Sequence, residues 1–201
     1  MIKSDRPLVN MTVGVVEKQY VWFRVAKCGT RSTLALLREV STKFEIEQDF
    51  GVTYDPSRYL DYYKFAFVRN PLDRIQSGWK DKIVNRAPGG GKYSESLFKR
   101  LMDFDFFIDW LLDQDPLTIN IHFRRQTLLI PHDVDFVGRM GNFTNDINCI
   151  LAELGVKGSY KIPHNNKAIE TNSQLSLSSS TLKKIITYYE PDYSRFDYTG
   201  I

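Results

Sequence analysis

The segment 27–32 constrains the fold most, because a short glycine-containing turn there joins a strand pattern to a helix pattern. Its sequence is Lys-Cys-Gly-Thr-Arg-Ser. The apolar run 20–26 before it predicts a β-strand, and 31–40, with apolar residues on one side, predicts an amphipathic helix. Backbone amides at a helix N-terminus lack intrahelical acceptors and carry partial positive charge, so they attract anions. The segment therefore predicts an anion-binding loop.

The residue types in this loop suit anion binding. Gly29 allows the backbone to approach a ligand closely, Thr30 and Ser32 add hydroxyl donors, and Lys27 and Arg31 add full charges. The loop is not a Walker loop, because it lacks the second glycine and the Lys-Ser/Thr ending. The alternative is an ordinary strand–turn–helix corner capped by a hydroxyl residue, with no ligand.

A second strand–helix pair follows the same plan. Residues 63–68 predict a buried strand, Arg69 lies at its carboxyl tip, and Asn70 is the expected cap of a helix over 71–84 that carries Ser77. Ligands of open α/β sheets bind beyond the carboxyl ends of the strands. Two strand tips that bring cations to one edge predict a single ligand with two anionic ends.

The remaining periodic segments set the fold class. They are a strand at 134–138 and helices at 103–113, 143–154 and 178–189. Strands that alternate with helices predict a three-layer α/β/α fold with a mostly parallel central sheet. With 201 residues, 42% of them hydrophobic, we expect one domain over 1–201. The glycine-rich segment 87–93 suits either a lid over an acceptor or a passive surface connection.

Composition excludes several classes of protein. The net charge of +3 is too small to predict a nucleic-acid partner. Two cysteines and three histidines, scattered along the chain, predict neither a disulfide framework nor a metal site. The first residues lack the apolar core of a signal peptide, and no stretch approaches the length of a membrane span. We therefore expect a cytoplasmic protein without a membrane segment.

Taken together, the motifs resemble a known family. Lys-x-Gly-Thr-x-Ser after a first strand and Arg-Asn-Pro-x-x-Arg-x-x-Ser-x-Trp after a later one resemble the sulfotransferases. The match is closer to the carbohydrate branch (sulfotransferase family 2), which includes the chondroitin and HNK-1 enzymes. Further segments that resemble this branch are 122–126, 134–139 with Asp146 after it, 188–193 and 196–198. The resemblance implies a P-loop NTPase-like fold.

It also implies a ligand, 3'-phosphoadenosine-5'-phosphosulfate (PAPS), the sulfuryl donor of the family, with no metal required. The 3'-phosphate would be held by Arg69 and Ser77, and Lys167 in a late loop either reaches the same phosphate or is solvated. The 5'-phosphosulfate would be held by Lys27, Cys28, Gly29, Thr30, Arg31 and Ser32.

The implied reaction moves a sulfuryl group from PAPS to a hydroxyl of an acceptor, by resemblance a carbohydrate. Lys27, with help from Arg31, would stabilise the moving group and the leaving phosphate. His122 is the candidate base, because a histidine with a pKa of about 6.5 keeps a neutral fraction at pH 7. The alternative is a structural histidine, with His132 or His164 as other candidate bases.

One position departs from the family pattern, and two other functions stay open. Where the family carries Glu after its Val-Gly-Arg strand, this chain has Gly141, which affects the assignment of the acceptor more than that of PAPS. A P-loop-type nucleotide kinase would share the sheet and the loop, but its Mg²⁺ ligands are not visible. A nucleotide-binding module without catalysis is the second alternative.

Overall fold

A computed structural model describes residues 8–41, 47–86, 93–158, 160 and 177–199. The strands are β1 (Val9–Val15), β2 (Gln19–Phe23), β3 (Glu47–Val52), β4 (Tyr63–Val68) and β5 (Phe136–Arg139). The helices are α1 (Thr30–Val40), α2 (Pro71–Trp79), α3 (Glu95–Leu101), α4 (Phe104–Leu112), α5 (Phe143–Glu153), α6 (Ser179–Tyr188) and α7 (Glu190–Arg195). Short 3-10 turns span Pro56–Tyr59, Gln126–Leu128 and Met140–Asn142, and a π-helical turn, Lys80–Val84, extends α2.

The five strands form one mixed sheet in the order β3-β1-β2-β4-β5. The predicted α/β class is confirmed, and the sheet is parallel where the motif strands lie, between β2, β4 and β5. The expectation of a mostly parallel sheet needs correction at the other side, where β1 pairs antiparallel with both β2 and β3. Residues 16–18 alone join β1 to β2, and so short a connection can link only antiparallel neighbours.

The register brings the two motif strands to a common edge. Trp22 of β2 lies opposite Phe65 of β4 in a parallel ladder, so the carboxyl ends of both strands point the same way. The chain leaves β2 for the loop 27–32, and it leaves β4 at Arg69. Both segments therefore begin at the edge where open α/β sheets bind ligands.

The chain divides into two compact units. The sheet unit comprises Met1–Arg69 and Gln126–Glu170, and the helical unit comprises Asn70–Arg125 and Thr171–Ile201. All five strands, α1 and α5 belong to the sheet unit, whereas α2, α3, α4, α6 and α7 belong to the helical unit. The expectation of a single domain over 1–201 stays a prediction.

Each unit has its own buried apolar residues. In the sheet unit, β2 and β4 are buried along most of their length, as expected of central strands covered on both faces. In the helical unit, Phe104, Phe107, Ile108 and Leu111 of α4 join one cluster with residues of α2, α3, α6 and α7. The helix predicted over 103–113 therefore contributes its apolar residues to the core.

Candidate active site

The backbone of the loop 27–32 has the shape of an anion cradle. Lys27 and Gly29 both have left-handed backbone angles, with φ of 70° and 69°, while Cys28 between them does not. Helix α1 begins at Thr30. The first hydrogen bond of its backbone ladder runs from the amide of Thr33 to the carbonyl of Gly29, at 3.0 Å. The amides of residues 30–32 thus precede the ladder and lie at the positive end of the helix dipole.

Gly29 meets two separate requirements of this loop. Its φ of 69° lies in the left-handed region, which a residue with a Cβ rarely adopts. A Cβ built there would lie 2.9 Å from Sδ of Met140 and 3.1 Å from Cε2 of Phe143. The loop is therefore packed against the start of α5, with no room for a side chain.

The loop also holds itself together internally. The hydroxyl of Thr30 donates to the carbonyl of Val25 at 3.2 Å, and the amide of Cys28 donates to the same carbonyl at 3.2 Å. A hydroxyl has one proton, so in this conformation Thr30 offers an anion its backbone amide rather than its side-chain donor. Arg31 is exposed, Lys27 is half-buried, and Ser32 is buried in the first turn of α1.

Gln126 links this loop to the other motif. Its Oε1 accepts from the amide of Arg69 at 3.0 Å and from Sγ of Cys28 at 3.4 Å, and its Nε2 donates to the carbonyl of Arg69 at 2.9 Å. The side chain of Gln126 is 0% exposed. One buried amide therefore contacts both segments that leave the sheet edge, a role that the sequence did not reveal.

The structure places the two expected ligands of the 3'-phosphate in different units. Arg69 is half-buried and ends the sheet unit, directly after β4. Ser77 is half-buried on α2 of the helical unit. The predicted cap is confirmed, since Oδ1 of Asn70 accepts from the amide of Leu72 at 2.9 Å, with proline at the first helical position.

His122 lies in a turn of the helical unit that fixes its tautomer. Oδ1 of Asn120 accepts from the backbone amide of His122 at 3.1 Å and lies 2.8 Å from Nδ1 of the ring. Because a backbone amide only donates, this contact identifies the Asn120 atom as the oxygen. Nδ1 must then carry a proton, and in the neutral ring Nε2 is the nitrogen with the lone pair.

Two residues of the other motifs hold the His122 turn. Arg74, only 1% exposed, donates through its guanidinium to the carbonyls of Arg124 at 2.7 Å and Ile121 at 3.0 Å. The hydroxyl of Tyr189 donates to the carbonyl of Phe123 at 2.6 Å, and burial raises the pKa of that hydroxyl well above its usual range. These contacts fix the backbone on both sides of His122.

Gly78 allows the His122 turn to pack closely against α2, because it has no side chain. A Cβ at this position would lie 3.1 Å from the carbonyl oxygen of His122 and equally close to the ring of Phe123. The arginine, the glycine before the tryptophan of the second motif, and the closing tyrosine thus all act on one turn. Their spacing along the sequence gave no sign of this convergence.

Comparison with known proteins identifies the family. The model of the sulfotransferase family matches residues 15–199, which is most of the chain. The chain belongs to the sulfotransferase family. The expected resemblance is thereby confirmed, and the P-loop-like description of the fold is consistent with it.

Several curated relatives of this sulfotransferase-family chain are carbohydrate sulfotransferases. It is 23% identical over 194 residues to carbohydrate sulfotransferase 11 of Rattus norvegicus, covering 80% of this chain and 53% of the relative. It is 25% identical to carbohydrate sulfotransferase 9 of Homo sapiens, over 71% of this chain and 39% of the relative. It is 27% identical to carbohydrate sulfotransferase 8 of Mus musculus, over 71% and 41%. The chain thus spans about half the length of these relatives or less. No solved structure matches it significantly.

Gly141 occupies the position at which the resemblance led us to expect a glutamate. It is exposed in the Met140–Asn142 turn, and a Cβ there would meet no heavy atom of the described residues within 4 Å, apart from its two chain neighbours. The neighbouring backbone is fixed by Asp146, which accepts from the amide of Arg139 at 2.6 Å and from the side chain of Asn142 at 2.8 Å. A larger residue would therefore fit at position 141.

The remaining expectations concern residues outside the described ranges, a metal site, a membrane span and the cellular location. Lys167, His164 and most of the glycine-rich segment 87–93 lie outside the described residues. Within the described part of the chain, no three His, Cys, Asp or Glu residues are grouped so as to hold a metal ion. No helix in that part is both long and apolar enough to cross a membrane. The expected cytoplasmic location stays a prediction.

Proposed function

We propose that this chain transfers a sulfuryl group from PAPS to a hydroxyl group of a carbohydrate. The observation that carries the proposal is the loop 27–32. Its two cations and the amides at the start of α1 follow β2 at the same edge of the sheet as Arg69. Membership of the sulfotransferase family and similarity to proteins named carbohydrate sulfotransferases support it.

The donor binds through its two anionic ends. The amides of residues 30–32 and the charges of Lys27 and Arg31 bind the 5'-phosphosulfate. Arg69 binds the 3'-phosphate, and Ser77 and Lys167 are its other expected partners. A nucleotide with phosphates at both the 3' and 5' positions therefore binds better than one with a phosphate chain at a single end.

In the reaction, Nε2 of His122 takes the proton of the acceptor hydroxyl. The hydroxyl oxygen forms a bond to sulfur while the bond from sulfur to the bridging oxygen of the 5'-phosphate breaks. The electron pair of that bond stays on the phosphate, which leaves as 3'-phosphoadenosine-5'-phosphate (PAP). Lys27 and the loop amides stabilise this developing charge, which is the task of a preorganised electrostatic site.

The test is a transfer assay with PAPS labelled in its sulfuryl group and a panel of unsulfated and partly sulfated oligosaccharides. We expect label in an oligosaccharide and PAP as the second product. Calorimetric titrations with PAP and ATP accompany it, and PAP should bind more tightly. Transfer of the γ-phosphate of ATP would instead support the kinase, and tight PAP binding without any transfer would support the inactive module.

A further inference from the structure

We propose that Gln126 is a positioning residue that couples the two anion-binding segments and thereby sets their separation for the donor. The inference rests on the proposed function. It concerns a residue that touches neither anion in that proposal and acts through its bonds to Cys28 and Arg69.

The contacts of Gln126 support this role. Its amide forms two hydrogen bonds with the backbone of Arg69, accepting from the N–H at 3.0 Å and donating to the carbonyl at 2.9 Å. The same oxygen accepts from Sγ of Cys28 at 3.4 Å. The orientation of the amide is fixed, because a backbone N–H can only donate and a carbonyl can only accept.

The side chain at 126 both accepts and donates, which suits a glutamine. Glutamate would retain the two accepting contacts but place a carboxylate against the carbonyl of Arg69, whereas lysine would supply only donors. Glutamine is 0% exposed here, so leaving its partners without a bond is costly. Gln126 lies 98 residues from Cys28 and 57 from Arg69, so it joins segments that the chain itself keeps far apart.

A fixed separation matters only for a ligand that uses both segments at once. A ligand with two linked anionic groups gains affinity when its two sites are held at the matching distance, because the protein then loses little further conformational entropy on binding. A nucleotide with one phosphate does not gain from the coupling. Loss of Gln126 should therefore weaken PAP binding and leave the binding of AMP nearly unchanged.

The experiment compares the affinities for PAP and AMP in the parent and in Gln126→Met, with AMP measured by displacement of labelled PAP. We expect about a 10-fold loss of affinity for PAP, the equivalent of one buried hydrogen bond, and less than about a 2-fold loss for AMP. The matched control is Gln114→Met, which removes a glutamine that donates to the carbonyl of Trp110 at 3.0 Å in the helical unit. It should leave both affinities unchanged.

A second pair of variants keeps the inference testable if Gln126→Met does not fold. Cys28→Ala removes one contact of Gln126, and Cys28→Ser replaces the thiol with another donor. We expect the selectivity for PAP over AMP to fall in Cys28→Ala and to be restored in Cys28→Ser. An unchanged selectivity in Cys28→Ala would overturn the inference, as would an unchanged selectivity in a folded Gln126→Met. A parent that binds no PAP would overturn the proposed function and the inference with it.

Discussion

Replacement of Gly29 by alanine tests the geometry of the anion loop most directly. The substitution adds one methyl group to a residue with a φ of 69°. The new Cβ would lie 2.9 Å from Sδ of Met140, closer than real Cβ atoms approach a neighbour, so that side chain has to move. Both effects act on the loop whose amides are proposed to bind the 5'-phosphosulfate.

The expected losses of stability and of PAP affinity follow from the backbone strain and the close contact with Met140. A residue with a Cβ in the left-handed region costs about 1–2 kcal/mol. Methionine is flexible, so displacement of Met140 adds less than a backbone clash would. We expect a loss of about 2 kcal/mol in the free energy of unfolding, which for a chain of this size lowers Tm by about 4–8 °C. Because the amides must tilt to relieve the strain, the affinity for PAP should fall about 10-fold or more.

Two other glycines serve as controls, with thermal unfolding and PAP titration measured for all three variants. Gly51 has a φ of 62°, and among the described residues only its chain neighbours would come within 4 Å of an added Cβ, so Gly51→Ala isolates the backbone strain. Gly141 has neither a positive φ nor a close neighbour, so Gly141→Ala should match the parent. If Gly29→Ala melts at the temperature of the parent and binds PAP equally well, the reasoning is refuted.

Four further predictions follow from the site and the core. Lys27→Ala should lower turnover more than PAP affinity, because its charge acts most on the leaving phosphate; the reverse pattern would make it a plain binding residue. Arg69→Ala should weaken PAP binding by about 1.5–3 kcal/mol and Ser77→Ala by less, and unchanged titrations would exclude both as ligands. His122→Ala should lower transfer about 10²–10⁴-fold with PAP affinity intact, and a drop in both would indicate a structural role. Burial raises the pKa of Tyr20 to about 12, so the unfolded chain loses that proton first and stability falls as pH rises above about 10. Denaturant melts of the parent and Tyr20→Phe at pH 9 and 11 measure this, and equal losses in both would contradict it.

The sequence predicted the local elements well where a buried pattern ends at a strong signal. The strand predicted at 63–68 coincides with β4, and the helix predicted at 143–154 differs from α5 by one residue. The strand predicted at 20–26 extends past β2, which ends at Phe23. The carbonyl of Val25 shows why, since it accepts from Thr30 and Cys28 in the loop rather than from a neighbouring strand. The apolar run continues, but its hydrogen bonds already belong to the turn.

The parts that the sequence missed depend on distant segments. Strand β1 pairs with β2 across a connection of three residues, and its antiparallel direction follows from that contact rather than from its own pattern. The loop 27–32 was visible because its glycine, hydroxyl and charged residues are neighbours in the chain. The tautomer of His122 depends on Asn120, two residues away, but only the folded turn brings that oxygen to both the backbone amide and Nδ1 of the histidine.

The two arginines of the second motif show why charge alone does not identify a ligand of the donor. Arg69 is half-buried, and Gln126 bonds the backbone N–H and carbonyl of Arg69 rather than its guanidinium. Arg74 is 1% exposed and directs its guanidinium to the carbonyls of Ile121 and Arg124. Loss of activity on replacing Arg74 would therefore report the position of the His122 turn and would not show that the guanidinium binds an anion. Within one motif, Arg69 stays the proposed ligand of the 3'-phosphate, whereas Arg74 supports the backbone that presents the proposed base.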